Sequence, residues 1–563
     1  VIVTADQAFC FLFAWEALTV AFYLFTGYDR QRADRTSAAV ITVMLGKISG
    51  ALLLIGFLLL AGRAGDFTFA GMEKLPQSGL RDAAYALLIA GFAVKVGLIP
   101  VHVWMPRGYR AAPGPARAIM AGVAVNVGFY GMWRTLDVLH RPPGWLAVVV
   151  LLLAAATALL GIAHSTVQTD LTEVIAYSSV ENGGLITVGY AVAMIGAVLQ
   201  MAPLIAVGLI AGMLQMVAHA VAKSLLFSAI ARVEDVEATM LLDDLRGIGH
   251  RFPWSGTGIA FGAATLAGLP LTVGFVSEWF LLESLMQQFR VGHLTYALPM
   301  AVAGALVALT AGFAAVAFVR VVGLVVLGPR GARESEEAEN TGPLLTRLTG
   351  RAGLVLLTVA CLGIAALTPL ELRIFGAGLS VIVPGTVLAG SEKGPWVLQP
   401  VYQEFSIVSP SWLAVAMPML FVAVVGFCLL VARRRMFAVR RVPAWRSATS
   451  GVEGDAQYTP FAFANPTRKV LATVLMTRSE LRTVEVESGG QIDERQRDAA
   501  GAHLGYTSDV VELVERLLYQ PLLRPFLAVA RAAQRMQNGR LDAYIAYMLI
   551  AFVAVLAVIM AVG

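Results

Sequence analysis

The run AAYALLIAGFAVKVGLIPVHVWMPR, residues 83–107, decides the fold. It is apolar over a length that suits a helix crossing the roughly 30 Å hydrocarbon layer of a bilayer, for which about 20 residues are needed. Near its middle stands a lysine, Lys95, followed by Pro100. A charged side chain at mid-membrane costs about 2.5–3.5 kcal/mol on insertion scales, so a helix keeps one only with a partner, a wet cavity or a function. Proline removes a backbone hydrogen bond, and the carbonyls it frees must face protein or water rather than lipid. The run therefore reads as a broken membrane helix built around a charge, an arrangement by which transporters make ion sites near the bilayer midplane.

The same reading extends along the chain. Of 563 residues, 58% are hydrophobic and 14% charged, against about 25% charged in an ordinary soluble domain. About twelve apolar spans are expected, near 7–27, 36–62, 83–107, 114–137, 145–165, 174–199, 202–231, 257–286, 297–328, 352–371, 411–432 and 541–562. The net charge of +5 forms no basic stripe with interleaved aromatics, so no nucleic-acid partner is expected. Basic residues gather instead in alternate connections: Arg30, Arg32 and Arg35; Arg107, Arg110 and Arg117; Arg232, Arg246 and Arg251; Arg330, Arg333, Arg347 and Arg351; then Arg433 to Arg446. The positive-inside rule places these at the cytoplasm and both termini outside. The chain starts at Val1 without a signal peptide and enters a span almost at once, so it is expected to begin inside a longer polypeptide.

Other spans also hold ionisable groups. Glu16 lies in LFAWEALTV, Lys47 in MLGKISG, His219 and Lys223 in AHAVAKSLLF, and Glu278 in VGFVSEWFLL. His219 and Lys223 share one helix face by their i, i+4 spacing, and Gln215 extends that face by a turn. AGLPLTVGF, just before Glu278, repeats the pairing of a break with a charge. A buried lysine beside a carboxylate can load and release a proton as their separation changes. The structural alternatives are a static Glu16–Lys47 pair, a packing role for His219, a helix-end role for Glu181, and an Arg320 that snorkels from the inner end of its span.

Cys10, Cys361 and Cys428 sit in apolar spans without CxxC spacing, so neither an iron–sulfur nor a zinc site is encoded. There is no Walker A loop and no GxGxxG between a strand and a helix. No cofactor of its own is expected, and the driving energy must come from a partner.

The strings WE at Trp15 and Glu16, KVGLIPVHVWMPRGYRAAPGPARAIMAG from Lys95, DLTEVIAYSSVEN from Asp170, HAVAKSLLF from His219 and GLPLTVGFVSEW from Gly268 resemble, in that order, one membrane-protein family. It comprises the antiporter-type subunits of respiratory complex I, Mrp cation/proton antiporters and membrane-bound hydrogenases. GFVSEW and the ending QNGRLDAYIAYML are most similar to the large antiporter-like subunit of formate hydrogenlyase and hydrogenase-4. The resemblance implies an all-α polytopic fold of two inverted five-helix repeats, each with a broken helix. The first is expected to be incomplete, because helices that precede the Glu16 span in the family are not in this sequence. It further implies Glu16 and Lys95 as carboxylate and lysine of the first half-channel, Lys223 and Glu278 as those of the second, and His219 on the polar axis between them, with Lys47, Asn126, Glu181 and Gln215 as accessory groups. Three departures stand out. Asn126 replaces a frequent lysine, TDLTE brings Thr172 and Glu173 in place of two basic residues, and Gln215 stands where some relatives have histidine.

The implied organisation is the remainder of the first repeat at 1–137, the second at 145–328, further spans at 352–432, a cytoplasmic polar loop at 433–508, an amphipathic lateral helix at 509–540 interrupted by Pro521 and Pro525, and a terminal anchor at 541–563. The implied function is proton translocation by one subunit of a redox-driven complex in the cytoplasmic (inner) membrane. Its partners would be other membrane subunits, peripheral iron–sulfur hydrogenase or NADH dehydrogenase-type subunits, and the lipid bilayer. A cation/proton antiporter module without redox coupling and a truncated scaffold anchoring a peripheral enzyme are the competing classes.

Overall fold

The structure, a computed structural model, describes residues 1–29, 31–328 and 343–384, then Val387, 392–394, 397–398, 410–432, 460–484, 503–510 and parts of 514–562. The helices are α1 (Ala8–Thr26), α2 (Ala33–Ala64), the short α3 (Phe69–Glu73), α4 (Gly79–Val96), α5 (Trp104–Ala111), α6 (Gly114–Ile119), α7 (Asn126–Leu139), α8 (Gly144–Val167), α9 (Leu171–Leu199), α10 (Ala202–Glu237), α11 (Pro253–Leu266), α12 (Val273–Met286), α13 (Leu294–Arg320), α14 (Leu344–Ala366), α15 (Thr368–Leu379), α16 (Pro410–Ala432), α17 (Pro460–Val470) and α18 (Leu541–Val562). Among the described residues seven helices are long and apolar enough to cross a membrane: α1, α2, α8, α9, α10, α13 with its π-helical extension to Val326, and α14. The protein is a multi-pass, helical membrane protein.

The chain divides into two compact units, Val1–Lys469 and Val470–Gly563. In the first, α9 is the central rod: every side chain from Leu171 to Ala197 except Glu173 is buried. Small residues let its neighbours approach, because tight packing rather than a hydrophobic drive holds helices together in lipid. A Cβ added at Gly189 would lie 2.6 Å from the Gly212 nitrogen of α10, and one at Gly161 of α8 would lie 2.5 Å from the Glu181 nitrogen. The second unit contains an antiparallel pair, Arg478–Val484 with His503–Asp509, and α18. Apart from Asp509, this pair and α17 fall within the stretch expected as a polar loop; residues 433–459 and 485–502 of that stretch, and most of the expected lateral helix, lie outside the described residues.

Three expected spans are interrupted. Residues 97–103 separate α4 from α5 and residues 267–272 separate α11 from α12, while a π-helical turn at Met120–Ala124 joins α6 to α7. In the first break Gly97 takes φ +74°, a left-handed conformation that glycine adopts without a Cβ clash. The opened backbone finds partners: Trp104 Nε1 donates to the Val94 carbonyl at 2.8 Å, and Ile99 N donates to Thr157 Oγ1 at 3.1 Å.

Arg320 does not snorkel. It is buried, and its guanidinium donates to the carbonyls of Thr166 and Gln168, while Arg468 Nη2 donates to the Val167 carbonyl at 2.6 Å. Two cations thus satisfy the last carbonyls of α8, which have no intrahelical donor and carry the negative end of the helix dipole. Hydrogen bonds to a charged group contribute about 1.5–3 kcal/mol each. Arg320→Gln is accordingly expected to lower the melting temperature of detergent-extracted protein by several degrees; unchanged thermal aggregation on size-exclusion chromatography would show the cap to be dispensable.

Candidate functional site

Lys95 lies in the last turn of α4 and is 4% exposed. Its Nζ lies 3.9 Å from the centroid of Phe22 and 5.5 Å from that of Trp15, with no hydrogen-bond partner among the described residues. Ring faces stabilise a cation electrostatically by about 2 kcal/mol when water is excluded. Glu16 is within electrostatic reach, but its carboxylate is bonded to Lys47 on α2. That ion pair stands on the flank of α1 and α2, with the Glu16 side chain 33% and Lys47 58% exposed on this chain. Glu16 thus makes the pair with Lys47 that the sequence offered as an alternative while still acting on Lys95, whose ammonium lies against aromatic rings. Glu16 lies against Gly50, where a Cβ would fall 1.8 Å from Oε1; a larger residue there would displace the carboxylate.

The second cluster is built on α9 and α10. Lys223 is fully buried, and its Nζ donates to the Ile175 carbonyl at 2.7 Å and to Ser178 Oγ. Glu181, 1% exposed, lies within electrostatic reach of both Lys223 and Glu278. Next to it, Asn182 donates to the Ser178 carbonyl at 2.8 Å and receives Gln215 Nε2 at 2.8 Å. Gln215, His219 and Lys223 form one face of α10, as their spacing predicts. Among the described residues Glu181 Oε1, Gln215 Oε1 and both His219 ring nitrogens are buried without a hydrogen-bond partner. Glu278, near the start of α12, lies over the second break: a Cβ on Gly268 would sit 2.3 Å from its Oε2.

The two clusters meet at α9. The Val96 carbonyl, at the end of α4, would lie 2.7 Å from a Cβ on Gly183, the residue after Asn182. Asn126 follows the π-turn, donates to the Gly122 carbonyl at 2.8 Å and leaves Oδ1 buried and unpartnered among the described residues. π-turns of this kind are frequent at functional sites. Ser178, Asn182 and Trp104 were not legible as site residues. Ser178 and Lys223 are far apart in sequence, and only the packing of α9 on α10 brings them together.

At the basic end, Asp170 caps α9 by accepting from Thr172 N at 2.8 Å and Glu173 N at 3.1 Å, and Arg110 Nη1 donates to Glu173 Oε1 at 2.6 Å. Burial pushes the Asp170 carboxyl above its ordinary value, while Arg110 and the two capped N–H groups pull it back. Glu173, the departure in TDLTE, is thus anchored by Arg110 of α5.

Residues 5–307 match the family described as NADH:quinone oxidoreductase/Mrp antiporter, TM. The chain belongs to this family. It is 28% identical to hydrogenase-4 component B of Escherichia coli, over 98% of this chain and 80% of that one. It is also 28% identical to formate hydrogenlyase subunit 3 of the same organism, over 80% of this chain and 70% of that one. Its fold is similar to that of a chain in the structure of the Mrp complex from Dietzia sp. DQ12-45-1b, with a TM-score of 0.62 at 19% identity; the likeness covers 100% of this chain and 50% of that one. The chain is an antiporter-like membrane subunit of the complex I, hydrogenase and Mrp family.

In this subunit the Asn182–Gln215 bond ties α9 to α10 at the polar cluster. Gln215→Leu would leave Asn182 Oδ1 buried without a donor, a loss of roughly 1–3 kcal/mol. Gln215→Leu should therefore lower the melting temperature and Gln215→His should restore most of it; equal melting for the two variants would count against the contact.

Proposed function

We propose that this subunit carries protons across the cytoplasmic (inner) membrane as part of a redox-driven complex of the hydrogenase or complex I type. The observation that supports this most directly is the file of buried polar groups Asn182, Glu181, Gln215, His219 and Lys223, with a second buried lysine, Lys95, on α4. Buried polar atoms are satisfied by protein or by ordered water, and the unpartnered oxygens and nitrogens of this file are where bridging waters would bind. A chain of alternating titratable side chains and water passes a proton by breaking one O–H or N–H bond as the next forms. Lys95, Lys223 and Glu278 serve as loading groups, His219 and Glu181 as relays, and Glu16 with Lys47 as a neighbouring pair whose field acts on Lys95.

The reading includes about twelve spans arranged as two inverted repeats, the interrupted helices α4–α5 and α11–α12 being the two broken members. It also includes peripheral iron–sulfur hydrogenase or dehydrogenase subunits as the energy source, in line with the names of the Escherichia coli relatives. In vesicles holding the complete complex and a pH-sensitive dye, Lys95→Ala, Lys223→Ala and Glu278→Ala should each remove most of the proton signal that accompanies electron transfer. Undiminished signals would take these residues out of the mechanism.

The fold shared with the Mrp complex favours a second reading, cation/proton exchange without electron transfer. That reading predicts sodium-dependent acidification or alkalinisation of vesicles supplied with no electron donor, whereas the redox-driven reading predicts a flat trace.

A further inference from the structure

At the end of the membrane part opposite the basic connections, the turn from α7 to α8 and the turn from α9 to α10 enclose an open cavity of about 280 Å³. Leu136, Ala197, Ile205 and Ile382 give it an apolar wall, and His140, Arg141 and Gln200 line it with polar groups. His140 ends α7 with φ +52° and Gln200 ends α9 with φ +56°, left-handed conformations that residues with a Cβ seldom adopt. Residues held in such conformations cluster at ligand clamps and active sites. Here two of them border one cavity.

Charge at this end is not balanced. His140 Nε2 meets Glu73 Oε1 at 3.2 Å, and Arg134 is bonded to Asp137, so these groups are compensated. Arg141 is exposed and has no carboxylate partner among the described residues. Arg81 of α4 is buried, donates to the Leu139 carbonyl and lies within electrostatic reach of both Arg141 and Asp82. Two guanidiniums thus share one carboxylate, on the side of the membrane where the positive-inside rule expects few basic residues. Trp145, at the start of α8, is exposed, as tryptophans at the membrane–water boundary are, which sets the cavity at the level of lipid head groups.

The chemistry of the cavity selects among ligands. A soluble anion would leave the apolar wall wet. A zwitterionic lipid would bring its own cation beside two guanidiniums. An anionic phospholipid suits both features: its phosphodiester oxygens accept from the planar fork of an arginine, and its chains continue along the wall of Leu136 and Ile205. The volume suits a head group with the first carbons of its chains rather than a whole lipid.

We propose that this cavity binds the phosphodiester head group of an anionic phospholipid of the outer leaflet, with Arg141 as its charge partner, and that the bound lipid ties the α7–α8 turn to the α9–α10 turn. Basic pockets between membrane helices take anionic head groups by the same electrostatics. The inference stands whatever ion the subunit carries.

The complete complex, purified in mild detergent and stripped of lipid, can be titrated with phosphatidylglycerol while native mass spectrometry counts the bound molecules. Arg141→Gln removes one charge-assisted hydrogen bond and should weaken the binding of one phosphatidylglycerol per copy of this chain about tenfold, and Arg141→Lys should keep most of the affinity. Ile205→Trp fills the apolar wall and should weaken the same binding with Arg141 in place. Wild-type affinity in either Arg141→Gln or Ile205→Trp overturns the site. Phosphatidylcholine should bind the wild type and Arg141→Gln equally; an equal loss with this lipid overturns the anionic assignment. Inorganic phosphate should fail to displace phosphatidylglycerol, and full displacement would make this a site for a soluble anion. Loss of a neighbouring subunit from Arg141→Gln with phosphatidylglycerol binding unchanged would assign Arg141 to a protein carboxylate and overturn the lipid.

Discussion

An ammonium group in oil must be solvated by something, and the arrangement of the membrane part follows from how that is done twice. Lys95 and Lys223 are both buried, and among the described residues neither forms an ion pair. Lys95 is met by ring faces and a cavity; Lys223 by a peptide carbonyl and a hydroxyl. The partners come from neighbouring helices: the rings are those of Trp15 and Phe22 on α1, and the carbonyl and hydroxyl are those of Ile175 and Ser178 on the uninterrupted α9. The opened turn after Lys95 is closed off by other donors, Trp104 Nε1 at the Val94 carbonyl among them, and Glu278 lies against the break at Gly268.

Holding these dipoles in place requires a rigid frame, and α9 provides it. Glycine contacts bring α8 and α10 close enough that backbone touches backbone along α9, so Ile175, Ser178, Glu181 and Asn182 keep fixed positions opposite Gln215, His219 and Lys223. The same rod receives the end of α4 at Gly183, which makes it the shared wall of the two charged clusters. Its basic end is fixed by the Asp170 cap and by Arg110, while the facing end of α8 is fixed by Arg320 and Arg468. These polar anchors lie where helix dipoles end, which is where charge stabilises a helix at least cost.

Much of this was legible in the sequence, and the boundary between what was and was not is physical. Long apolar runs have a single cheap environment, so the helices around Trp15, Ser49, Gly161 and Val207 follow from composition. The breaks at Pro100 and at GLP before Glu278 were legible because proline and glycine act locally. The shared face of His219 and Lys223 follows from helical periodicity. Pairings across helices do not. Nothing in the order of residues states that Lys95 lies against the rings of Phe22 and Trp15, that Lys223 rests on Ser178, or that Arg320 is drawn inward to the end of α8. Those outcomes depend on the rotation and depth of each helix, which are set by packing and carry no one-dimensional signature.

The difference between the two lysines has a further consequence. The ammonium of Lys223 has donors bound to the Ile175 carbonyl and to Ser178, groups held by α9 that cannot leave. The ammonium of Lys95 touches only ring faces among the described residues, and these attract charge without saturating any N–H bond. Its donors point toward a small cavity lined by Thr19, Thr42 and Ser49. The first lysine is held by the rings of α1 and the second by a fixed peptide dipole and a hydroxyl of α9. Displacement of α9 against α10 therefore acts on the contacts of Lys223, whereas displacement of α1 against α4 acts on those of Lys95. The two clusters thus share α9 as a wall but are held from different helices.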